Sequence, residues 1–129
     1  MENKELLMVD LCGRLPYGVK VEHLLHAPNN PSDLFAIDVD KQVLYCDHKG
    51  REEWYKVDFI KPYLRPMSSM TEEEEEEYHS IQSDIWKPCG TQYYDNWRSI
   101  DWLNKNMFDY RGLIEKGLAI EVDESNNPY

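Results

Sequence analysis

Pro62-Tyr63-Leu64-Arg65-Pro66-Met67-Ser68-Ser69-Met70-Thr71, followed by six glutamates from Glu72 to Glu77, divides this chain into two kinds of architecture. Both prolines lack an amide hydrogen and bias the residue before them toward extended backbone, so Lys61 and Arg65 lie outside any helix and a strand is expected to end here. Thr71 with Glu74 three residues on forms a capping box, and Ser69 with Glu72 offers the same pattern two residues earlier. Either pair starts a helix near residues 70 to 72. Glutamates in a first turn sit at the positive end of the helix macrodipole, each contributing roughly 0.3 to 1 kcal/mol, whereas Glu73 and Glu77, four apart, repel each other. The run reads first as a solvated helix face and second as an acidic surface for a partner.

Upstream of the divide the pattern is that of short strands. Val19, Val21 and His23 alternate with Lys20, Glu22 and Leu24. Phe35, Ile37 and Val39 then alternate with Ala36, Asp38 and Asp40, and after an Asp40-Lys41 turn Val43 and Tyr45 alternate with Leu44 and Cys46. His48 to Arg51 is a second turn, and Trp54 to Ile60 a further strand with Tyr55, Val57 and Phe59 on one side. With no strand-helix-strand alternation, four short strands and one long loop (27 to 33) fit a curled antiparallel sheet. An N-terminal helix over residues 2 to 12, with an apolar stripe of Leu7, Met8 and Leu11, is expected to end at Gly13.

Downstream the apolar residues recur at helical spacing. Tyr78, Ile81 and Ile85 share one helix face, and Trp86-Lys87-Pro88-Cys89-Gly90 breaks that helix. Trp97, Ile100, Leu103 and Met107 mark a second helix, and Asp109, Lys116 and Gly117 read as cap, last turn and left-handed stop of a third. Leu118, Ile120 and Val122 alternate as a final strand, and residues 123 to 129 read as a frayed tail. The expected fold is therefore α+β: a small antiparallel sheet or SH3-like barrel over about 18–64, packed with an N-terminal helix and C-terminal helices. One domain over 1–129 is expected, with a β-rich part at about 15–66, a helical part at about 70–117 and the short strand at about 118–122.

The 129 residues carry a net charge of -11, unevenly spread. Residues 1 to 66 hold 11 acids and 9 bases, residues 67 to 129 hold 14 acids and 5 bases. Such a field repels phosphate backbones and anionic lipid, which argues against direct nucleic-acid or membrane binding. Three cysteines, at 12, 46 and 89, do not make a disulfide framework, no secretory leader pattern opens the chain, and no apolar run approaches 18 residues. A cytoplasmic protein is expected. Cys12 and Cys46 are expected to be small buried apolar residues and the histidines to lie at the surface.

The chemistry-bearing signals are few. His23 and His26, three apart on a strand, point to opposite faces, and Cys46-Asp47-His48 has no matching second pair, so no metal is assigned. Cys89 between Pro88 and Gly90, with His79 as a remote companion, is the sole thiol setting that suggests an enzyme. No phosphate loop, dinucleotide fingerprint or nucleophile elbow is present. No catalytic residue and no cofactor is assigned.

Nine tyrosines, four tryptophans and three phenylalanines exceed what one small core buries, so some should be exposed. The candidate partner-binding residues are Glu72, Glu73, Glu74, Glu75, Glu76 and Glu77 together with Trp86, Tyr93 and Tyr94. The partner expected is a protein, including a second copy of this chain. An acidic decoy that mimics nucleic acid and occupies a basic protein is the alternative, and a small enzyme is the other.

Leu15 to Lys20, Lys61 to Thr71 with its glutamates, and Phe108-Asp109-Tyr110-Arg111-Gly112-Leu113-Ile114-Glu115-Lys116-Gly117-Leu118-Ala119-Ile120-Glu121 together resemble a family of small uncharacterised proteins encoded by gut Bacteroidales and their phages or prophages. The resemblance implies a mobile-element or phage accessory context. It carries no functional residue.

Overall fold

The computed structural model describes residues 2–24, 30–84 and 97–129. Helix α1 (Asn3–Arg14) leads into a 3-10 turn at Leu15–Tyr17, followed by β1 (Lys20–His23), β2 (Ser32–Asp38), β3 (Val43–His48) and β4 (Arg51–Lys56). A second 3-10 turn at Val57–Phe59 delivers β5 (Ile60–Leu64), and then come α2 (Glu72–Asp84), α3 (Trp97–Lys105) and β6 (Ile120–Glu121). The sheet order is β4-β3-β2-β1-β5-β6, antiparallel except for the β5–β6 pair. This is an α+β fold, as expected.

The sheet is curled but not closed. His23 on β1 stacks on Tyr55 of β4 with ring centroids 3.6 Å apart, although β2 and β3 lie between those strands. Three strand spacings span about 14 Å on a flat sheet, so the meander must bend until its inner side chains meet. Among the described residues no ladder joins β4 to β5, which leaves the barrel open. On the concave side Val19, Val21, Leu34, Leu44 and Cys46 meet Leu7 and Leu11 of α1.

Pro62 does not end a strand, contrary to the reading of the divide. It lies inside β5 opposite Val21. Leu24 N–H donates to Phe59 O at 2.8 Å, which sets the alternation of bonded and non-bonded pairs and puts Val21 and Pro62 on a non-bonded one. The missing N–H is not needed by β1, and β6 begins only opposite Tyr63. The break expected at the prolines falls earlier, where the Val57–Phe59 turn splits the anticipated 54-to-60 strand.

The capping box is realised as read: Glu74 N–H donates to Thr71 Oγ1 at 3.2 Å and Thr71 N–H to Glu74 Oε1 at 3.1 Å. Ser69 instead donates its hydroxyl to Pro66 O, so the earlier pair is not used. Tyr78 and Ile81 pack on a second cluster centred on Trp102, Leu103 and Phe108, where Tyr78, Trp102 and Phe108 stack in series at 5.4 and 5.6 Å. Burying such side chains contributes about 1.5 to 3 kcal/mol each.

Several expectations give way to local geometry. Helix α1 runs through Gly13, whose missing Cβ admits Asn104, and the left-handed stop is Gly18 at φ +76 after the 3-10 turn. Residues 110 to 116 form turns and not a helix, because Gly112 at φ +74 interrupts the run. With no helix to cap, the Asp109 carboxylate instead braces the turns, accepting from Leu113 N–H and Ile114 N–H at 2.8 and 2.9 Å. The final residues do not fray: Tyr129 Oη accepts from Lys20 N–H at 3.0 Å and donates to Tyr63 O at 2.8 Å. Cys12 is exposed and His23 buried, both opposite to expectation, since Cys12 lies off the Leu7–Leu11 stripe of α1 and His23 continues the inward Val19–Val21 series. Among the described residues no helix is long and apolar enough to cross a membrane.

Candidate functional site

The glutamate run divides into one structural residue and five exposed ones. Glu74 turns back toward the sheet, where Arg65 grips it with a two-pronged fork, Nη1 to Oε2 at 2.8 Å and Nη2 to Oε1 at 2.7 Å. The Arg65 hydrogen bonds, aided by the Thr71 amide and hydroxyl, hold the Glu74 carboxyl down to about 2. Its ionised form is therefore committed to holding α2 on the sheet. Glu72, Glu73, Glu75, Glu76 and Glu77 face solvent. Trp86, Tyr93 and Tyr94 lie outside the described residues, as does Cys89, the thiol considered with His79.

The aromatic surplus surfaces elsewhere, on the convex face of the sheet. In β3, Leu44 and Cys46 point into the core, so the residue between them, Tyr45, points outward. Tyr45 pairs directly with Trp54 on β4, and Trp54 is 62% exposed. On β2, Leu34 pairs with Cys46 while Ala36 pairs with Tyr45, which leaves Phe35 as the extra residue of a β-bulge. The bulge overturns the simple alternation read for Phe35, Ile37 and Val39. Ile37 packs against the core, Phe35 is 45% exposed with its ring 6.4 Å from Tyr45, and Val39 lies exposed in the turn. Three aromatic rings from three strands thus share one outer face.

Beside them Asp47 and Glu52 are direct cross-strand partners of like charge. Such a pairing is destabilising in isolation and favours a cation brought from outside. Asp47 also accepts Gly50 N–H at 3.0 Å, closing a two-residue turn in which Lys49 and Gly50 both have positive φ, 51° and 86°. That tight turn fixes the register that lines up Tyr45 with Trp54. The sequence reading counted the aromatics without assigning faces. The signal was present in Tyr45, flanked by two residues that must be inside.

For covalent or metal chemistry the described residues offer little. Burial first, and the nearby Glu53 carboxylate second, push the Cys46 thiol up to about 12, so it is protonated and unreactive at neutral pH. Among the described residues no group of three or more His, Cys, Asp or Glu side chains is arranged to hold a metal ion. No protein-family model, curated protein or solved structure matches this chain.

Proposed function

We propose that this chain is a protein-binding accessory module, of the kind carried by phages or mobile elements, that docks a basic partner through the outer face of β2, β3 and β4. The observation that carries the reading is the row of exposed Phe35, half-buried Tyr45 and exposed Trp54 on the outer face of the sheet, beside the like-charged Asp47–Glu52 pair. Aromatic side chains with an apolar body and a polar rim are favoured in the desolvated centre of interfaces. The net charge of -11 selects the sign of the partner and speeds its approach. A partner surface with apolar side chains beside Lys or Arg satisfies both features.

The five exposed glutamates of α2 support a second reading, an acidic decoy that occupies the nucleic-acid site of a basic protein. One experiment separates the two. Affinity capture from the native host identifies a partner, which is then purified and titrated against wild type, a Phe35→Ala/Trp54→Ala double variant, and a variant with Glu72, Glu73, Glu75, Glu76 and Glu77 changed to Gln. Loss of binding in the aromatic variant supports the outer face, and loss only in the glutamine variant supports the decoy. A chain that sediments as a monomer and captures nothing would sink both.

A further inference from the structure

The two edges of the sheet differ in kind. At one stands β6, two residues long, and at the other β4, six residues in unbroken register with β3. Folded chains blunt a free edge with a short strand, a proline or a bulge, because unpaired N–H and C=O groups recruit other strands. The β6 edge is short, whereas β4 contains no proline and its ladder no bulge.

The ladder decides which groups of β4 are free. Val57 N–H donates to Gln42 O at 3.0 Å, one step beyond the Val43–Lys56 pair, so the bonded pairs fall at Leu44–Tyr55, Cys46–Glu53 and His48–Arg51. The Lys49-Gly50 turn, with both residues at positive φ, closes the hairpin in the same phase. Glu52, Trp54 and Lys56 therefore turn their N–H and C=O groups outward, and among the described residues no hydrogen bond reaches those groups. All three side chains share the outer face, and all three are exposed.

We propose that β4 pairs antiparallel with β4 of a second copy, about a two-fold axis at Trp54. Only residues with outward groups can meet as bonded pairs, so the register shifts in steps of two. Centred on Trp54, it sets Glu52 opposite Lys56 of the second copy twice over, forms three bonded pairs of two hydrogen bonds each, and lays the two indoles side by side. A step either way puts Glu52 or Lys56 opposite Trp54 and loses both ion pairs, while an in-register parallel arrangement sets like charges abreast. The incoming Lys56 also brings a cation to the like-charged Asp47–Glu52 pair, and within one chain neither Glu52 nor Lys56 makes a side-chain hydrogen bond or ion pair among the described residues. A strand-on-strand contact is small, so monomer and dimer should exchange with concentration. Edge and outer face are different surfaces, and this pairing can fail without the capture of a basic partner failing.

The test is sedimentation of the full chain from low to high micromolar concentration, with amide hydrogen exchange at both ends of the range. Wild type should pass from monomer to dimer. The amides of Glu52, Trp54 and Lys56 should gain protection on association, while those of Glu53 and Tyr55 are held by β3 throughout. Glu52→Lys and Lys56→Glu each place like charges across the axis twice and should weaken the dimer about tenfold or more, whereas the two changes together restore the opposition and should return it to within about threefold of wild type. Phe35→Ala, two strands from the edge, should dimerise like wild type. The proposal is overturned if wild type stays monomeric at every concentration, or if the double swap associates no better than either single change. A dimer that leaves the three outward amides unprotected and is weakened by Phe35→Ala would also overturn it, since two outer faces would then be stacking.

Discussion

Arg14 and Arg65 both reach Phe108, Arg14 by donating Nη2 to its carbonyl at 2.6 Å and Arg65 by laying its guanidinium 4.2 Å from the ring centroid. Each also holds a carboxylate. Asp10 and Arg14 form an i,i+4 pair on α1 with both side chains fully buried, and Arg111 Nε adds a second cation 3.4 Å from Asp10. The Arg65 and Glu74 side chains keep 25% and 20% of their exposure. The same chemistry thus serves in two media. In the dry pair the charges are cut off from water and lean on each other, with the Phe108 carbonyl and Arg111 alongside, so its presence adds little over an apolar replacement but its rupture is severe. In the half-wet pair water shares the burden, and the contribution is smaller and responsive to pH and salt.

The largest expected effect breaks the dry pair. Asp10→Ala leaves the Arg14 guanidinium buried without its carboxylate and should cost about 3 to 5 kcal/mol in urea unfolding, while Asp10→Leu with Arg14→Met should recover most of that loss. A cost below about 1 kcal/mol for Asp10→Ala would erase the contrast with Arg65.

Next comes the half-wet pair, where Glu74→Gln should cost about 2 kcal/mol at neutral pH. The folded carboxyl titrates at about 2 against an ordinary value of 4.5, so its stabilisation is fully present above about pH 4.5 and is lost as pH falls toward 2. Unfolding measured across that window should fall less steeply in Glu74→Gln than in wild type. Molar salt should shrink the difference between the two at neutral pH, whereas it should leave the Asp10→Ala cost nearly unchanged.

Tyr129→Phe provides a neutral reference. It removes the hydroxyl that joins Lys20 N–H to Tyr63 O, and about 1 kcal/mol should be lost with no salt dependence. The smallest stability change belongs to Trp54→Ala, within about 0.5 kcal/mol because the ring is mostly in water, even though the same change should abolish partner binding.

Local signals carried the sequence reading furthest where one residue sets one hydrogen bond. The Thr71–Glu74 box and the Leu7–Met8–Leu11 stripe both appear where short-range chemistry places them. Pro62 was misjudged because its tolerance depends on which partner strand needs its N–H, a fact that only the register supplies. The run from Tyr110 to Lys116 looked helical because Asp109 and Gly117 frame it correctly, yet Gly112 within it takes positive φ. Asp10 and Arg14 were legible in principle, being four apart with Arg14 on the Leu7–Leu11 stripe, but charged pairs on a helix usually face water. Of the candidate site, the acidic run was visible as composition, whereas the place of Phe35 in the outer aromatic row required knowing that β2 carries a bulge.

That bulge has a consequence for how the molecule tolerates change. Removing one residue from a strand ordinarily flips every later side chain to the opposite face. Phe35 is the exception, because Leu34 and Ala36 already pair with the consecutive residues Cys46 and Tyr45. Excising it would yield an uninterrupted ladder with Ile37 still inside, so the chain can gain or lose this one ring by a three-nucleotide indel without re-threading its core.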